Sequence, residues 1–162
     1  MNTTDICDRL GERVSFLSPA FQNYGGRLCF SGDAVTIKCF EDSSRVKELI
    51  ATPGHGKVMV IEAGGSPRCA VLGDVSARIA LDNGWEGIIV HGYLRDVAAI
   101  GQMALGVRAL GVVPKGSTRR GEGITGLPVD IGGVCCRPGD QVYADENGIV
   151  IVARDDGKLL TA

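Results

Sequence analysis

Three charged residues have types and a spacing that suit chemistry on a small anion: Asp74, Arg95 and Asp96. Asp74 opens an amphipathic helix pattern, and the other two follow the apolar run 87–90. A helix start and a strand end in a βαβ-like unit commonly meet on one rim of a sheet, where open α/β folds bind ligands. Two carboxylates suit a hard divalent cation, and an arginine fork suits a carboxylate group. The sequence therefore predicts a rim site for a divalent cation and a small carboxylate substrate.

Asp74 has two interpretations that the spacing alone does not separate. As the N-cap of the following helix it has a purely structural role. In the functional interpretation, the free amides of Val75 and Ser76 bind a substrate carboxylate at the helix N-terminus. The aspartate would then orient a metal-bound water molecule.

The Arg95-Asp96 pair also has two interpretations. An Arg–Asp pair at a strand end is commonly a solvated ion pair with little effect on stability. In the functional interpretation, Asp96 binds a metal and Arg95 binds a keto-acid carboxylate or enolate oxygen in two-point contact. One protein carboxylate plus several waters is a common way of holding Mg²⁺.

Two further features near the predicted rim leave alternatives open. Gly64, Gly65 and Ser66 follow a predicted strand, where they form either an amide nest for an anion or a tight turn. His91 lies four residues before Arg95 and is either a packing residue or a base. The spacing suggests neither a Ser-His-Asp triad nor a cysteine nucleophile.

Composition restricts the function classes. The chain has 162 residues, 24 glycines and a formal net charge of −2, so a basic footprint for nucleic acid is absent. No apolar run is long enough to span a bilayer, and the polar N-terminus is unlike a secretory signal. The six cysteines include no CxxC pair, which favours buried free thiols over zinc ligands. Free thiols indicate a reducing compartment, so we expect a cytoplasmic protein with no membrane or direct nucleic-acid partner.

The pattern of elements predicts a single α/β domain over residues 1–162, with layered sheets flanked by helices and not a doubly wound nucleotide-binding sheet. A basic, glycine-rich segment at 115–126 is expected to be a mobile loop or a partner surface, and the tail at 154–162 is expected to fray. Asn147-Gly148 predicts a hairpin turn. The predicted helices cover residues 3–10 (capped by Thr3 or Thr4), 43–53, 74–84 and 97–103, and the main predicted strands cover 34–39, 57–63, 87–91, 107–113, 141–144 and 149–153.

From about residue 5 to residue 153, this chain resembles a known protein family. The string GDVSARIALDNGWEGIIVHGYLRDV, preceded by FSGDAVTIKCFEDSSRVKEL and VIEAGGSPRCAVLGD, is similar to the family of the regulator of ribonuclease E activity A. That family also contains the class II 4-hydroxy-4-methyl-2-oxoglutarate aldolases. The resemblance implies an α/β/β/α swivelling-domain fold, like that of phosphohistidine domains, in a homotrimer that in some members stacks to a hexamer.

For the site, the resemblance implies a Mg²⁺- or Mn²⁺-dependent lyase that cleaves pyruvate-forming C–C bonds and decarboxylates oxaloacetate. By the matching positions, Asp96 would ligate the metal and Asp74 would act through a metal-bound water. Arg95 would bind substrate, and the turn formed by Gly73, Asp74, Val75 and Ser76 would supply amides. The metal would act as a Lewis acid that stabilises the enolate of pyruvate.

Two departures from the family pattern support an alternative. Ala99 stands where family enzymes often carry an acid, and the chain lacks the C-terminal extension with which longer aldolases donate an acid to a neighbouring subunit; only Asp155 and Asp156 could serve here. The alternative is a non-catalytic trimeric inhibitor of ribonuclease E, or a partner of an associated RNA helicase. Its contact would be the basic segment 115–120.

Overall fold

A computed structural model describes all residues, 1–162, and its elements alternate between strands and short helices. Short 3-10 turns cover Gly11–Arg13 and Lys158–Leu160. The helices are α1 (Thr3–Leu10), α2 (Ser44–Ile50), α3 (Asp74–Asp82), α4 (Val97–Ile100) and α5 (Arg154–Gly157). The strands are β1 (Val14–Phe16), β2 (Gln22–Asn23), β3 (Phe30–Lys38), β4 (Lys57–Glu62), β5 (Ala70–Leu72), β6 (Gly87–Leu94), β7 (Gly106–Val112), β8 (Ile124–Thr125), β9 (Val129–Ile131), β10 (Val134–Cys136), β11 (Gln141–Asp145) and β12 (Gly148–Val152).

Ten of the strands form one mixed sheet, in the order β1-β12-β11-β3-β4-β6-β7-β2, with β5 beside β6 and β8 beside β3. The strands β3, β4, β6 and β7 run parallel, whereas β11, β12 and β1 pair antiparallel. Residues 58–61 and 87–90 are buried on both faces, as the continuous apolar runs of parallel strands require. The strands predicted at 57–63 and 87–91 are present as β4 and β6.

The buried side chains form three clusters that define the layers. The largest lies between one face of the parallel strands and α2, α3 and α4. A second lies on the opposite face, where residues of β4 and β6 pack against residues of β9, β11 and β12. The third lies between the outer face of β11 and β12 and helix α1. Because β11 and β12 turn over the parallel strands, the sheet supplies both inner layers, and the predicted layered α/β/β/α architecture is confirmed.

The strand β5 is the element that brings the predicted site together. It pairs in parallel with the last part of β6, with Leu72 opposite Leu94, and the amide of Arg95 donates to the Leu72 carbonyl at 3.0 Å. Both strands therefore end at the same level of the sheet. Helix α3 begins at Asp74, beside the point where β6 ends.

Several element ends differ from the sequence expectations, for local reasons. Helix α1 is capped by Asn2, whose Oδ1 accepts from the Asp5 amide at 2.8 Å, so the prediction of Thr3 or Thr4 as cap is wrong. The hairpin forms, but its turn residues are 146–147, because Asp145 pairs with Gly148. Strand β3 begins four residues earlier than predicted, because its first residues pair with β11 and not with β4.

The tail does not fray in the structure as predicted. Residues 154–160 form α5 and a 3-10 turn, and Leu160 is buried against Ile6 and Leu10 of α1. The apolar Leu159-Leu160 pair near the end of the chain is the signal for this packing, since burial of one large side chain can hold a terminal turn in place.

All six cysteines are unpaired, and only Cys29 and Cys135 are exposed. None of the helices is both long and apolar enough to cross a lipid bilayer.

Candidate functional site

The backbone turns sharply at Asp96, two residues after the end of β6. Its φ of 60° and ψ of 37° place a non-glycine residue in the left-handed region. Aspartate is among the few residues that adopt this conformation with modest strain, because its short polar side chain bonds locally. Strained backbone conformations cluster at ligand sites. The turn directs the Asp96 side chain back toward the start of α3.

The Asp96 carboxylate lies beside the helix start without being enclosed. Its Oδ2 accepts from the Asp74 amide at 3.3 Å and lies 3.9 Å from Nε of Arg95. The Arg95 and Asp96 side chains are each 43% exposed, so this pair contributes little to folding stability. Both groups remain open to a ligand.

Gly73 is the residue that permits this approach. A Cβ atom at position 73 would lie 2.8 Å from Oδ2 of Asp96 and 3.6 Å from Nε of Arg95. Gly73 is the N-cap of α3, and Asp74 is its first helical residue, so the interpretation of Asp74 as N-cap is wrong. Oδ1 of Asp74 accepts from the Val75 amide at 2.9 Å. Of the two amides expected to face a ligand, those of Val75 and Ser76, the first is therefore already in use.

Lys47 and Arg119 join the cleft, and sequence reasoning missed both as site residues. The cleft has a volume of about 220 Å³ and holds three cationic side chains against two carboxylates. Burial, together with the charges of Arg119 and Arg95, lowers the pKa of Lys47. Nζ of Lys47 lies 3.4 Å from Oγ of Ser76. The cleft is lined by Lys47, Gly73, Asp74, Val75, Ser76, Arg95, Asp96 and Arg119.

A narrower recess of about 40 Å³ continues from the cleft toward the segment 115–120. Gly116 is its key residue, because a Cβ there would lie 3.0 Å from the guanidinium carbon of Arg95. Arg95 also donates to the Pro114 carbonyl at 3.4 Å. The basic segment expected to be a mobile loop or partner surface therefore forms one wall of the site.

Buried Asp42 ties this segment to α2. Its Oδ2 accepts from Oγ1 of Thr118 at 3.0 Å and from the Arg120 amide at 2.6 Å, and its Oδ1 accepts from the Ser44 amide at 2.9 Å. Burial alone would raise the pKa of Asp42, but these hydrogen bonds outweigh it and hold the pKa well below its usual range. The charged form of Asp42 thus fixes the segment that carries Arg119.

The glycine turn and His91 lie outside the cleft. Gly64 and Gly65 both have positive φ, but their amides are used internally: Gly64 donates to Oε1 of Glu62 and Gly65 to the His91 carbonyl. The tight-turn interpretation is therefore favoured over the anion nest. His91 packs 6.0 Å from the Phe21 ring, and its buried Nδ1 lies 3.8 Å from Glu62 without a hydrogen bond.

The two departures from the family pattern add no acid to the cleft within one subunit. Ala99 is exposed on α4. Asp155 and Asp156 lie on α5 in the opposite outer layer, where they pair with Lys158 and Arg13.

No cluster of three His, Cys, Asp or Glu side chains with metal-ligand geometry exists in the chain. A cation at Asp96 would therefore take most of its ligands from water or substrate.

The fold and the cleft together define a layered α/β protein with a cationic cleft at the carboxyl ends of its parallel strands. The family model described as RraA-like, Aldolase/RraA, matches residues 3–151, and the chain belongs to this family. A protein of Hahella chejuensis provisionally named 4-hydroxy-4-methyl-2-oxoglutarate aldolase is 50% identical over 92% of this chain and 91% of its own length.

Two solved structures share the fold over nearly the whole chain. The RNA-processing inhibitor RraA from Thermus thermophilis has a TM-score of 0.91 and 36% identity, covering 94% of this chain and 92% of its own. A Geobacillus kaustophilus protein named S-adenosylmethionine:2-dimethylmenaquinone methyltransferase has a TM-score of 0.94 and 41% identity, covering 100% of this chain and 99% of its own. The names of these relatives assign three different activities to one fold.

Proposed function

We propose that this protein is a divalent-metal-dependent lyase for small 2-keto diacids. The reactions are aldol cleavage of 4-hydroxy-4-methyl-2-oxoglutarate, decarboxylation of oxaloacetate, or both, and each gives pyruvate. The observation that carries the proposal is the convergence of Asp74, Arg95 and Asp96 with two further cations, Lys47 and Arg119, in one cleft. The aldolase names of relatives about 50% identical to this chain support the same reaction class.

The metal-binding role falls to the two aspartates. Asp96 would ligate Mg²⁺ or Mn²⁺ directly and Asp74 would act through a water molecule, because Asp74 already accepts a bond from the Val75 amide. When bound, the cation supplies Lewis-acid stabilisation of negative charge on the keto oxygen.

The remaining residues bind and orient the substrate. Arg95 presents its guanidinium to the 2-keto acid end, where it stabilises the charge that develops as the C–C bond breaks. The Gly73–Ser76 turn offers the helix N-terminus to the same carboxylate. Lys47 and Arg119, which line the same cleft, would bind the second carboxylate of a diacid. The cleft contains no histidine or cysteine, and with Asp96 on the metal, Asp74 is the remaining carboxylate for proton transfer through water.

The test is pyruvate release from each substrate with Mg²⁺ or Mn²⁺, with a chelator, and with the Asp96→Ala variant. We expect metal-dependent turnover above the metal-only blank, abolished by the chelator and reduced at least 100-fold in the variant. Turnover equal to the blank with both substrates and both metals would contradict the proposal.

A second candidate function is inhibition of ribonuclease E or a related RNA-processing partner. It is favoured by the likeness to the Thermus RNA-processing inhibitor and by the exposed basic side chains of Lys115 and Arg120 beside the cleft. A pull-down against the scaffold region of ribonuclease E tests it, with Lys115→Glu as the charge-reversed control. An absence of binding at micromolar protein would count against it.

We further propose a homotrimer, or two stacked trimers, in the cytoplasm. Self-association is supported by the exposed apolar side chains of Phe40, Ile124 and Leu127, which lie close to the end of β3, and the six free thiols suit a reducing compartment. Light scattering of the purified protein distinguishes a monomer, a trimer and a hexamer.

A further inference from the structure

A second cavity lies far from the cleft, between the start of α1 and the segment that links β1 to β2. Its volume is about 470 Å³, which is within the range of small-molecule sites. It shares no lining residue with the cleft. Its walls are largely apolar, from Phe16, Leu17, Pro19, Phe21 and Ile149.

One buried charge lines this cavity, the guanidinium of Arg108. The residue lies on β7 opposite Ile89, so its side chain enters the inner layer between the two halves of the sheet. It is only 5% exposed. Charged side chains are rarely this buried unless they are paired.

Arg108 is not paired. Its Nη2 donates to the carbonyls of Leu28 at 2.9 Å and Asp145 at 2.8 Å, but its buried Nε has no hydrogen-bond partner and Nη1 makes none within the chain. It takes part in none of the ion pairs of the chain. The nearby Asp145 carboxylate is already occupied by Thr3 and by the amide of Asn147.

A buried guanidinium with unused donors is costly without an acceptor. The ring of Phe30 lies 6.0 Å from its carbon and offers only a weak cation–π contact. The only carboxylates that line the cavity, Asp8 and Glu146, are exposed at its rim. The cavity therefore presents one buried cation beside a wall of apolar side chains.

From this geometry we propose that the cavity binds an amphipathic carboxylate, with its carboxylate on Arg108 and its apolar chain along Phe16, Phe21 and Ile149. A carboxylate oxygen would accept from Nη1 of Arg108, which has no partner in the chain and is not enclosed as Nε is, and the apolar chain would displace water from the aromatic wall. This site is independent of the proposed lyase activity.

Calorimetry with three eight-carbon probes tests the proposal on the assembled protein. Octanoate should bind at least about tenfold more tightly than 1-octanol, which has the same chain without the charge, and octylammonium should not bind. Saturating pyruvate with Mg²⁺ should leave the affinity for octanoate unchanged, because the two sites share no residue.

Two variants locate the site. Arg108→Met keeps an apolar stem but removes the hydrogen-bond donors. The affinity for octanoate should therefore fall at least about tenfold, to that for octanol. Because Arg108 also bonds two carbonyls, a second variant is needed: Thr4→Trp adds bulk at an exposed position of α1 that lines the cavity and should block both probes. Arg95→Met removes a cation from the cleft and is the matched control; its octanoate affinity should be that of the parent.

Three results would overturn the proposal. These are no octanoate binding at millimolar concentration, equal binding of octanoate and octanol to the parent, or unchanged octanoate binding in both Arg108→Met and Thr4→Trp. The first would mean that water or a neighbouring copy of the chain occupies the cavity.

Discussion

Replacing Gly73 with alanine should inactivate the cleft while leaving the fold intact. The backbone at Gly73 is extended, with φ of −133° and ψ of −173°, so alanine fits without strain. The new Cβ would lie 2.8 Å from Oδ2 of Asp96, and that oxygen must retreat by more than about half an ångström to reach an ordinary contact. The Asp96 side chain is half-exposed and can rotate away.

The expected effects of Gly73→Ala on stability and on activity differ in size. Rotation of one side chain off its preferred rotamer costs about 1 kcal/mol, and alanine gains about 0.4–1 kcal/mol by restricting the unfolded chain, so the free energy of unfolding should change by less than about 1 kcal/mol. Misplacement of a catalytic group by about 1 Å can lower the rate 100-fold. We therefore expect kcat/KM to fall by about 100-fold and the Mn²⁺ concentration at half-maximal activity to rise.

The assay is pyruvate release against Mn²⁺ concentration, with urea unfolding measured on the same samples. Gly101→Ala is the matched control, because its Cβ would face only backbone oxygens, the nearest being that of Val97 at 3.2 Å. Wild-type activity and metal dependence in Gly73→Ala would refute the assignment of Asp96 to the metal. A loss of stability of several kcal/mol would refute the argument that the contact is confined to one side chain.

Three other outcomes are expected. Lys47→Met and Arg119→Met should each raise KM for a 2-keto diacid about tenfold, with a smaller effect on a monoacid such as pyruvate measured as a product inhibitor. Asp42→Asn should lower the free energy of unfolding by about 2 kcal/mol at pH 7. Because the folded pKa of Asp42 lies below its unfolded value of about 3.9, its charge stabilises the protein above that pH, and the difference between variant and parent in urea titrations should shrink as the pH falls below it. Burial raises the pKa of Cys39 and Cys136 to about 12, so a thiol reagent at pH 8 should modify the two exposed cysteines in the native protein and these two only after unfolding.

The parts of the fold that could be predicted are those with local causes. The apolar runs of β4 and β6 and the amphipathic pattern of α3 specify their own elements, and a parallel pair of strands must end at one rim. That rule places Asp74 near Arg95 and Asp96 once β5 is paired with β6, a pairing that the local pattern does not specify. The choice of Asn2 over Thr3 as cap could not be made, because neighbouring cap-forming residues compete within one turn.

The missed residues depend on contacts between distant parts of the chain. Asp42 and Thr118 are 76 positions apart, and their hydrogen bond determines where Arg119 lies. Lys47 stands on the polar side of a short amphipathic helix, where most lysines are simply solvated. Only the packing of α2 against α3 brings it to Ser76, and no local pattern in the sequence encodes that contact.

The number of carboxylates in the cleft predicts which reaction this chain performs better. Decarboxylation of oxaloacetate needs charge stabilisation on the keto oxygen, whereas aldol cleavage also requires removal of a proton from the hydroxyl group of the substrate. With alanine at position 99, Asp74 is the only acid besides Asp96 in the cleft of one subunit. Asp74→Asn keeps the size and the contact with the Val75 amide but removes the base, so aldol cleavage should fall about 100-fold or more and decarboxylation by less than about tenfold. Equal losses for both substrates would place the proton transfer elsewhere, and Asp74 would then act only in binding.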